Sequence, residues 1–359
     1  MLGCFVVARA AMAGQTWDGG GANALWSLPA NWNGDTLPTL DNTTALTFGG
    51  TVNLSPDLDT NATTKGIVFA AAAGSFNLLS TNGSTLTIDS NASNNAVVVS
   101  SSNAQTISAN LVLLNASGET NFIGTSGNLT LNGSIDFTRV MRMSPAAGRT
   151  MTINGALLNN GRFVTSDNGT IILNANAGSN WDNTGTGTSP GVIFSAGTLL
   201  LRGTLGATAA GQAVFGNTNA SSTYNSALLF DDAAAVMNKP IALRVNNSAT
   251  HSATIGTGPN LTGVYVIGQT ISLGTTSGLS NNSTAASTGK LIVTAQNAAG
   301  TARFTNVISG LSGYANSVTK EGAGTVEFTA ANTYSGPTVI NTGVLKLSGS
   351  GTLAQATSR

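Results

Sequence analysis

Apolar residues along this chain recur at every second position in short runs, and the runs end at asparagine, glycine or serine. Alternation with a period of two predicts half-buried β-strands, because successive side chains of a strand point to opposite faces. Leu129, Leu131, Ile135 and Phe137 form one such inward set, with Thr, Asn and Ser left on the other side. Helical periodicity is nearly absent. The alanine-rich stretches at 70–73 and 207–213 are short, lack an amphipathic face and read as loops or single turns. One phrase returns along the chain: Thr85-Leu86-Thr87-Ile88, Leu129-Thr130-Leu131-Asn132-Gly133, Met151-Thr152-Ile153-Asn154-Gly155, Ile171-Ile172-Leu173-Asn174 and Leu199-Leu200-Leu201-Arg202-Gly203. From Leu129 the steps are 22, 20 and 28 residues, the irregular period expected of a solenoid whose insertions leave at its corners.

Asparagine and glycine collect between the runs, as at Asn94-Asn95, Asn159-Asn160-Gly161, Asn246-Asn247 and Asn281-Asn282. Both tolerate the left-handed backbone of a sharp corner, and stacked coils would bring asparagines into amide ladders. At roughly 22 residues per coil and about 4.8 Å between coils, the rod would hold some 13 or 14 coils and extend about 65 Å.

A more specific pattern fills residues 318–347, carried by Lys320, Gly322, Gly324, Val326, Phe328, Asn332, Thr333, Tyr334, Gly336, Thr338, Val339, Gly343, Leu345 and Leu347. This stretch resembles the bacterial autotransporter-associated β-strand repeat. The resemblance implies a secreted passenger region wound into a right-handed parallel β-helix (a β-solenoid), displayed outside the cell and, in a full-length relative, associated with the outer membrane. Relatives continue into an outer-membrane barrel or a sorting segment, so residues 1–359 are expected to be a fragment. Gly343 to Gly349 repeats the pattern of Gly197 to Gly203, and each follows a Val-Ile pair. The opening Thr16-Trp17-Asp18-Gly19-Gly20-Gly21, with Trp26 and the Asn31-Trp32 pair, is similar to a recurring start of these repeat proteins. Trp17, Trp26 and Trp32 then form either an aromatic cap over the open end of the solenoid or a platform that stacks on sugar rings, and the cap is preferred because an uncovered edge invites aggregation.

Charge narrows the picture further. Charged residues make up 8% of the chain, against about 25% in an ordinary soluble domain, and the formal net charge is zero. Nucleic acid and anionic lipid therefore lose their electrostatic attraction to it. Apolar residues at 41% suffice for a long core and argue against disorder. The one cysteine, Cys4, rules out an intramolecular disulfide framework and a cysteine zinc site. No apolar run is long enough for a transmembrane helix. Residues 1–13, with an apolar run ahead of Ala11-Met12-Ala13, read as a truncated signal peptide whose charged start lies upstream. Residues 14–50 follow as a cap segment and 51–359 as the solenoid.

Candidate chemistry is sparse. Asp57 and Asp59 would share a strand face and Asp231-Asp232 would not, but glycoside cleavage needs two carboxyls flanking one bond. His251, the single histidine, excludes a two-histidine metal motif and reads as a loop residue. No phosphate-binding loop or calcium-binding glycine nonapeptide is present. Arg139, Arg142 and Arg149, with Met141 and Met143 between them, read as an alternating strand with arginines outward. No catalytic, cofactor or metal residue is assigned. The expected function is a structural, adhesin-like, non-catalytic β-helix, secreted or at the cell surface, and the alternative is a glycan-binding or glycan-cleaving one. The two differ in whether charged and aromatic side chains of neighbouring coils converge in one groove. Expected partners are surface or matrix glycans or proteins, and further copies of the chain meeting end to end through the strands of Val339, Leu345 and Leu347. Export carries a direct check: mass spectrometry of the secreted protein should find Gly14 at the mature N-terminus, and retention of Met1 in a cytoplasmic product would contradict it.

Overall fold

A computed structural model describes residues 15–90, 95–115, 118–174, 191–206, 208–209, 211–216, 225–243, 252–273, 290–310 and 316–353. The leader at 1–13, Cys4, His251 and the asparagine pairs at 246–247 and 281–282 lie outside the described residues.

The chain forms a parallel β-helix. Its first face is a sheet of twelve strands from Thr16–Trp17 to Ile308–Ser309, and its second has eleven from Asn77–Leu78 to Thr338–Ile340. The third face comes in two runs, five strands from Ala62–Thr64 to Leu157–Leu158 and four from Gly263–Ile267 to Val344–Leu347. Strands pair in parallel within each sheet. Parallel neighbours cannot be joined by a hairpin, so each turn of the coil travels around the other faces before it pairs with the turn before. Among the described residues one turn of 3-10 helix, Pro29–Asn31, is the only helix. Twelve strands about 4.8 Å apart make the first face roughly 53 Å long. Beyond it the same face continues through backbone bonds, Thr333 N–H to Ile308 O and Thr352 N–H to Ala330 O.

The recurring phrase is the second face seen in sequence. Leu129 stacks on Met151, Met151 on Ile171 and Ile171 on Leu199, so the steps of 22, 20 and 28 residues are coil lengths. Leu228, Ile255, Val293 and Lys320 continue the column, and the step from Ile255 to Val293 reaches 38 residues. The apolar members of this column are buried, as are Ile135 and Phe137 on the third face. Thr85–Asp89 departs from the others, since it pairs with Asn110–Leu114 on the third face. Alternation encodes inside against outside and carries no label for which face a strand joins. Ala70 to Ala73 is a turn closed by Ala73 N–H on Ala70 O, Asn159 takes a left-handed backbone at its corner, and Asn95 begins a strand where a corner was expected.

Where the second face turns, an amide ladder runs along the rod. Asn174 Nδ2 donates to Asn154 Oδ1 and Asn154 Nδ2 to Asn132 Oδ1, each at 2.8 Å. The line continues through Asn132 Nδ2 to Ser108 Oγ and Ser108 Oγ to Asn77 Oδ1. Elsewhere a corner side chain accepts an N–H of the next coil: Asn61 from Thr85, Asn110 from Ser134, Asn128 from Thr150 and Asn225 from Ser252. Asp57 does the same for Thr81, whereas Asp59 turns the other way to Ser27, so the two acids of the sequence pattern serve different coils. Replacing Asn154 removes one bond to each neighbouring coil. Asn154→Ala should lower the stability measured by urea unfolding by about 1 kcal/mol, the net worth of such bonds at an exposed position.

Candidate functional site

The coil at 318–347 shows what its signature residues do. Lys320 lies on the strand Ser317–Glu321, fully buried, and its Nζ donates to the carbonyls of Glu321 and Gly322 at 2.7 Å and of Thr342 at 3.0 Å. Three acceptors match the three protons of an ammonium group, which is how the cation is tolerated there. Burial lowers its pKa, and the charge of Glu321 acts in the opposite direction. Gly343 closes the same knot with a φ of +70°, and a Cβ there would stand 2.3 Å from Gly322 O and 2.6 Å from Lys320 Nζ. Both the backbone and the space demand glycine.

Several of the remaining signature residues also reach to adjacent coils. Gly322 and Gly324 lie against carbonyls of the coil before, at Ala295 and at Asn297, and Gly336 donates its N–H to Asn316 O at 3.0 Å. Asn332 spans two junctions: its Oδ1 accepts Ile308 N–H at 2.9 Å and its Nδ2 donates to Thr352 O at 3.1 Å. Thr333 N–H bonds Ile308 O. Tyr334 is buried, shares a 2.6 Å hydrogen bond with Thr338 Oγ1, and has its phenol pKa raised by burial. Val326 and Phe328 enter the core and Leu345 packs against it. Leu347 pairs with Phe328 but stays 45% exposed, because among the described residues no strand covers it. On the outer side of the third face Arg303, Glu327 and Lys346 fall in register, with Glu327 bonded by Arg303 Nε at 2.6 Å and Lys346 Nζ at 2.9 Å. Hydrogen bonds from Lys346, Ser348 and Arg303 pull the carboxyl of Glu327 down to about 2.

Residues 318–347 match the passenger-associated-transport-repeat family. No curated protein and no solved structure matches the chain. The passenger repeat occupies under a tenth of the chain, and its presence on a parallel β-helix is consistent with a surface or secreted protein. Several of its signature residues, among them Lys320, Gly322, Gly324, Asn332, Gly336 and Gly343, lie at the contacts by which one coil seats on the next.

Trp17, Trp26 and Trp32 sit at the opposite end of the rod. Trp17 opens the first face, and Trp17, Trp26 and Trp32 are 0%, 3% and 1% exposed. Trp32 meets Trp17 edge to face at 5.2 Å and Trp26 at 5.7 Å, and Phe48 lies within 6.2 Å of all three. Trp17 Nε1 donates to Asn53 O and Trp32 Nε1 to Trp26 O, while Trp26 Nε1 is buried without a partner among the described residues. Phe69 and Phe76 carry the ring packing into the next coil.

The other charged candidates are dispersed. Asp231 is buried and paired with Arg202 at 2.8 Å, and Asp232 caps Ala234 N–H. Arg142 alone of the three arginines lies within the strand Val140–Pro145, pointing outward onto Glu119 at 2.6 Å, while Met141 and Met143 enter the core. Among the described residues no three His, Cys, Asp or Glu side chains gather as metal ligands. A groove of about 500 Å³ runs across the outer side of the second face, over Thr198, Ala227, Thr254 and Ile292, with Gln296 and Glu321 at one end. Its described lining includes no aromatic ring, and Glu321 is its one charged side chain. Sequence reasoning missed this groove and the Arg303–Glu327–Lys346 column, because both depend on register between coils 19 to 38 residues apart.

Two outcomes follow for the passenger repeat. Gly343→Ala should loosen the last coil by about 2 kcal/mol or more, from left-handed strain plus overlap with Gly322, and Lys320→Met by about 1–3 kcal/mol, from three carbonyls left without a donor. Hydrogen exchange of residues 338–347 would register both. Because the pKa of Glu327 is depressed from 4.5 to about 2 by folding, its contribution is complete above pH 4.5 and fades as the pH falls toward 2. Exchange protection in 325–347 should follow that window in the parent protein and lose the dependence in Glu327→Gln.

Proposed function

We propose that this chain is a non-catalytic passenger rod, secreted or held at the cell surface, whose role is structural and adhesive. One observation carries the reading: polar side chains that define the passenger repeat, Lys320 and Asn332, are committed to adjacent coils and Tyr334 is buried on Thr338, which leaves a scaffold rather than a reaction centre. The lack of converging charged and aromatic groups in the groove lining supports the same side against glycan cleavage, which needs paired carboxyls. Trp17, Trp26 and Trp32 act as a cap: their packed, buried rings have little surface left on which a sugar could stack. Division into a leader at 1–13, a cap at 14–50 and a solenoid beyond belongs to this proposal.

End-to-end association is part of it. Val339, Ile340, Val344 and Leu347 are exposed on the last strands of the second and third faces, an apolar edge suited to pairing with another copy. Sedimentation velocity over a dilution series should show concentration-dependent growth, reduced by Val344→Lys. A particle that stays monomeric throughout would remove this element. For the display itself, antibody to the purified chain should label intact cells or the culture medium, and incubation with polysaccharides should release no new reducing ends. Labelling that appears only after lysis would overturn the location, and reducing-end release would overturn the absence of catalysis.

A further inference from the structure

Six asparagines of this chain are followed by glycine: Asn33, Asn82, Asn132, Asn154, Asn160 and Asn168. The pair is chemically labile, because the glycine has no Cβ to hinder its own nitrogen from attacking the asparagine Cγ and its backbone rotates readily into that approach. A bond forms between that nitrogen and Cγ, and the side-chain nitrogen leaves as ammonia, taking the proton that the glycine nitrogen gives up. Water then opens the five-membered imide at either carbonyl, leaving aspartate or isoaspartate. The chain and water supply every atom. Two groups must be available at once, the side-chain amide that is attacked and the glycine N–H that attacks.

The fold engages at least one of these groups at five of the six pairs. Asn132 and Asn154 are held at both ends of their amides by the ladder. Asn82 donates to Asp59 O and accepts Ser84 N–H. At the other two it is the nucleophile that is tied, with Gly161 N–H on Phe137 O at 3.0 Å and Gly169 N–H on Pro145 O at 2.9 Å. Asn33 differs from all of them. Its side chain is exposed, and neither its amide nor the N–H of Gly34 makes a hydrogen bond among the described residues. Apart from chain neighbours, no atom lies within 4 Å of where a Cβ on Gly34 would stand. Gly34 has a φ of +78° in a turn closed by Asp35 N–H on Trp32 O at 2.9 Å. Flipping the peptide between residues 33 and 34 converts one common turn type into another that keeps the same closing bond, so the attacking nitrogen can reorient without the turn opening.

We propose that Asn33–Gly34 is a self-modification site, where the folded chain deamidates ahead of its other asparagine-glycine pairs and thereby alters its own tryptophan cap. The position supplies the consequence. Trp17 and Trp32 form an antiparallel bridge, and Asn33 N–H donates to Thr16 O at 2.8 Å, so the turn at 32–35 continues the segment that covers the first strand. Isoaspartate adds a methylene to the backbone inside that turn and draws Asp35 N–H away from Trp32 O. Either product puts a new carboxylate two residues from Asp35. Each hydrogen bond that must break before ring closure slows the reaction about fivefold, and two together more than tenfold.

The test incubates the purified full chain in mildly alkaline buffer, folded and in parallel unfolded in urea, and follows each pair by peptide mapping with mass spectrometry that separates aspartate from isoaspartate. In urea the six should convert at comparable rates. In the folded chain Asn33 should outpace Asn132 and Asn154 at least tenfold, and Asn168, whose glycine nitrogen gives up one bond, about fivefold. Hydrogen exchange at the Asp35 amide should quicken in the isoaspartate form, while Asn33→Gln, incubated alike, should keep its protection. The proposal is overturned if Asn33 converts in urea but not in the folded chain, or if Asn132 and Asn154 keep pace with it when folded. It is overturned equally if exchange at Asp35 is the same before and after conversion.

Discussion

Everything in this molecule depends on one constraint: a coil can bury its apolar side chains and satisfy its strand backbones only against the coil before it. No coil has a core of its own. The inward residues Leu129, Met151, Ile171 and Leu199 are neighbours through register alone, with backbone ladders fixing their heights and side-chain contact filling the space between. Stability is therefore close to a sum of nearest-neighbour terms along one axis. That is why a chain with so few charges can be stable without a disulfide, and why its polar residues concentrate on junctions. The Arg303–Glu327–Lys346 column, the Asn332 bridge and the Lys320 knot are three solutions to the same task of fastening adjacent coils.

Much of this was legible in the sequence, because the code for a β-helix is local. Period-two alternation gave the strands, and the return of L-T-L-N-G as M-T-I-N-G and I-I-L-N gave the coils, down to the lengths of 22 and 20 residues. The asparagine at the end of each phrase is the one that enters the ladder. What stayed hidden was the identity of the face. Thr85–Asp89 has the same alternation as Leu129–Leu131 and lies on a different sheet, since an in-out pattern is blind to direction around the rod. Leu347 shares the parity of Leu345 and pairs with the core residue Phe328, but burial requires a further layer and cannot be read from parity.

The candidate sites divide in the same way. Signature residues could be named from the resemblance to the repeat, although the contacts that explain them, such as Lys320 on Thr342 O and Asn332 on Ile308 and Thr352, lie between coils. The groove could not, because Thr198, Ala227, Thr254 and Ile292 come together from four coils of unequal length. No spacing in the sequence aligns them. Asp57 and Asp59 illustrate the converse, a pair that looked like a shared face and instead joins one coil to each side.

The amide ladder has a direction. Asn174 gives its hydrogen to Asn154, Asn154 to Asn132, Asn132 to Ser108 and Ser108 to Asn77, so every donor belongs to the later coil and every acceptor to the earlier one. Hydrogen bonds in such a file polarise one another. The rod is thus electrically oriented along this edge, with dipoles pointing one way through five coils, even though its net charge is zero. A particle of this kind has distinguishable ends in an external field or on a charged surface, and it would settle there with a preferred sense rather than merely lying flat.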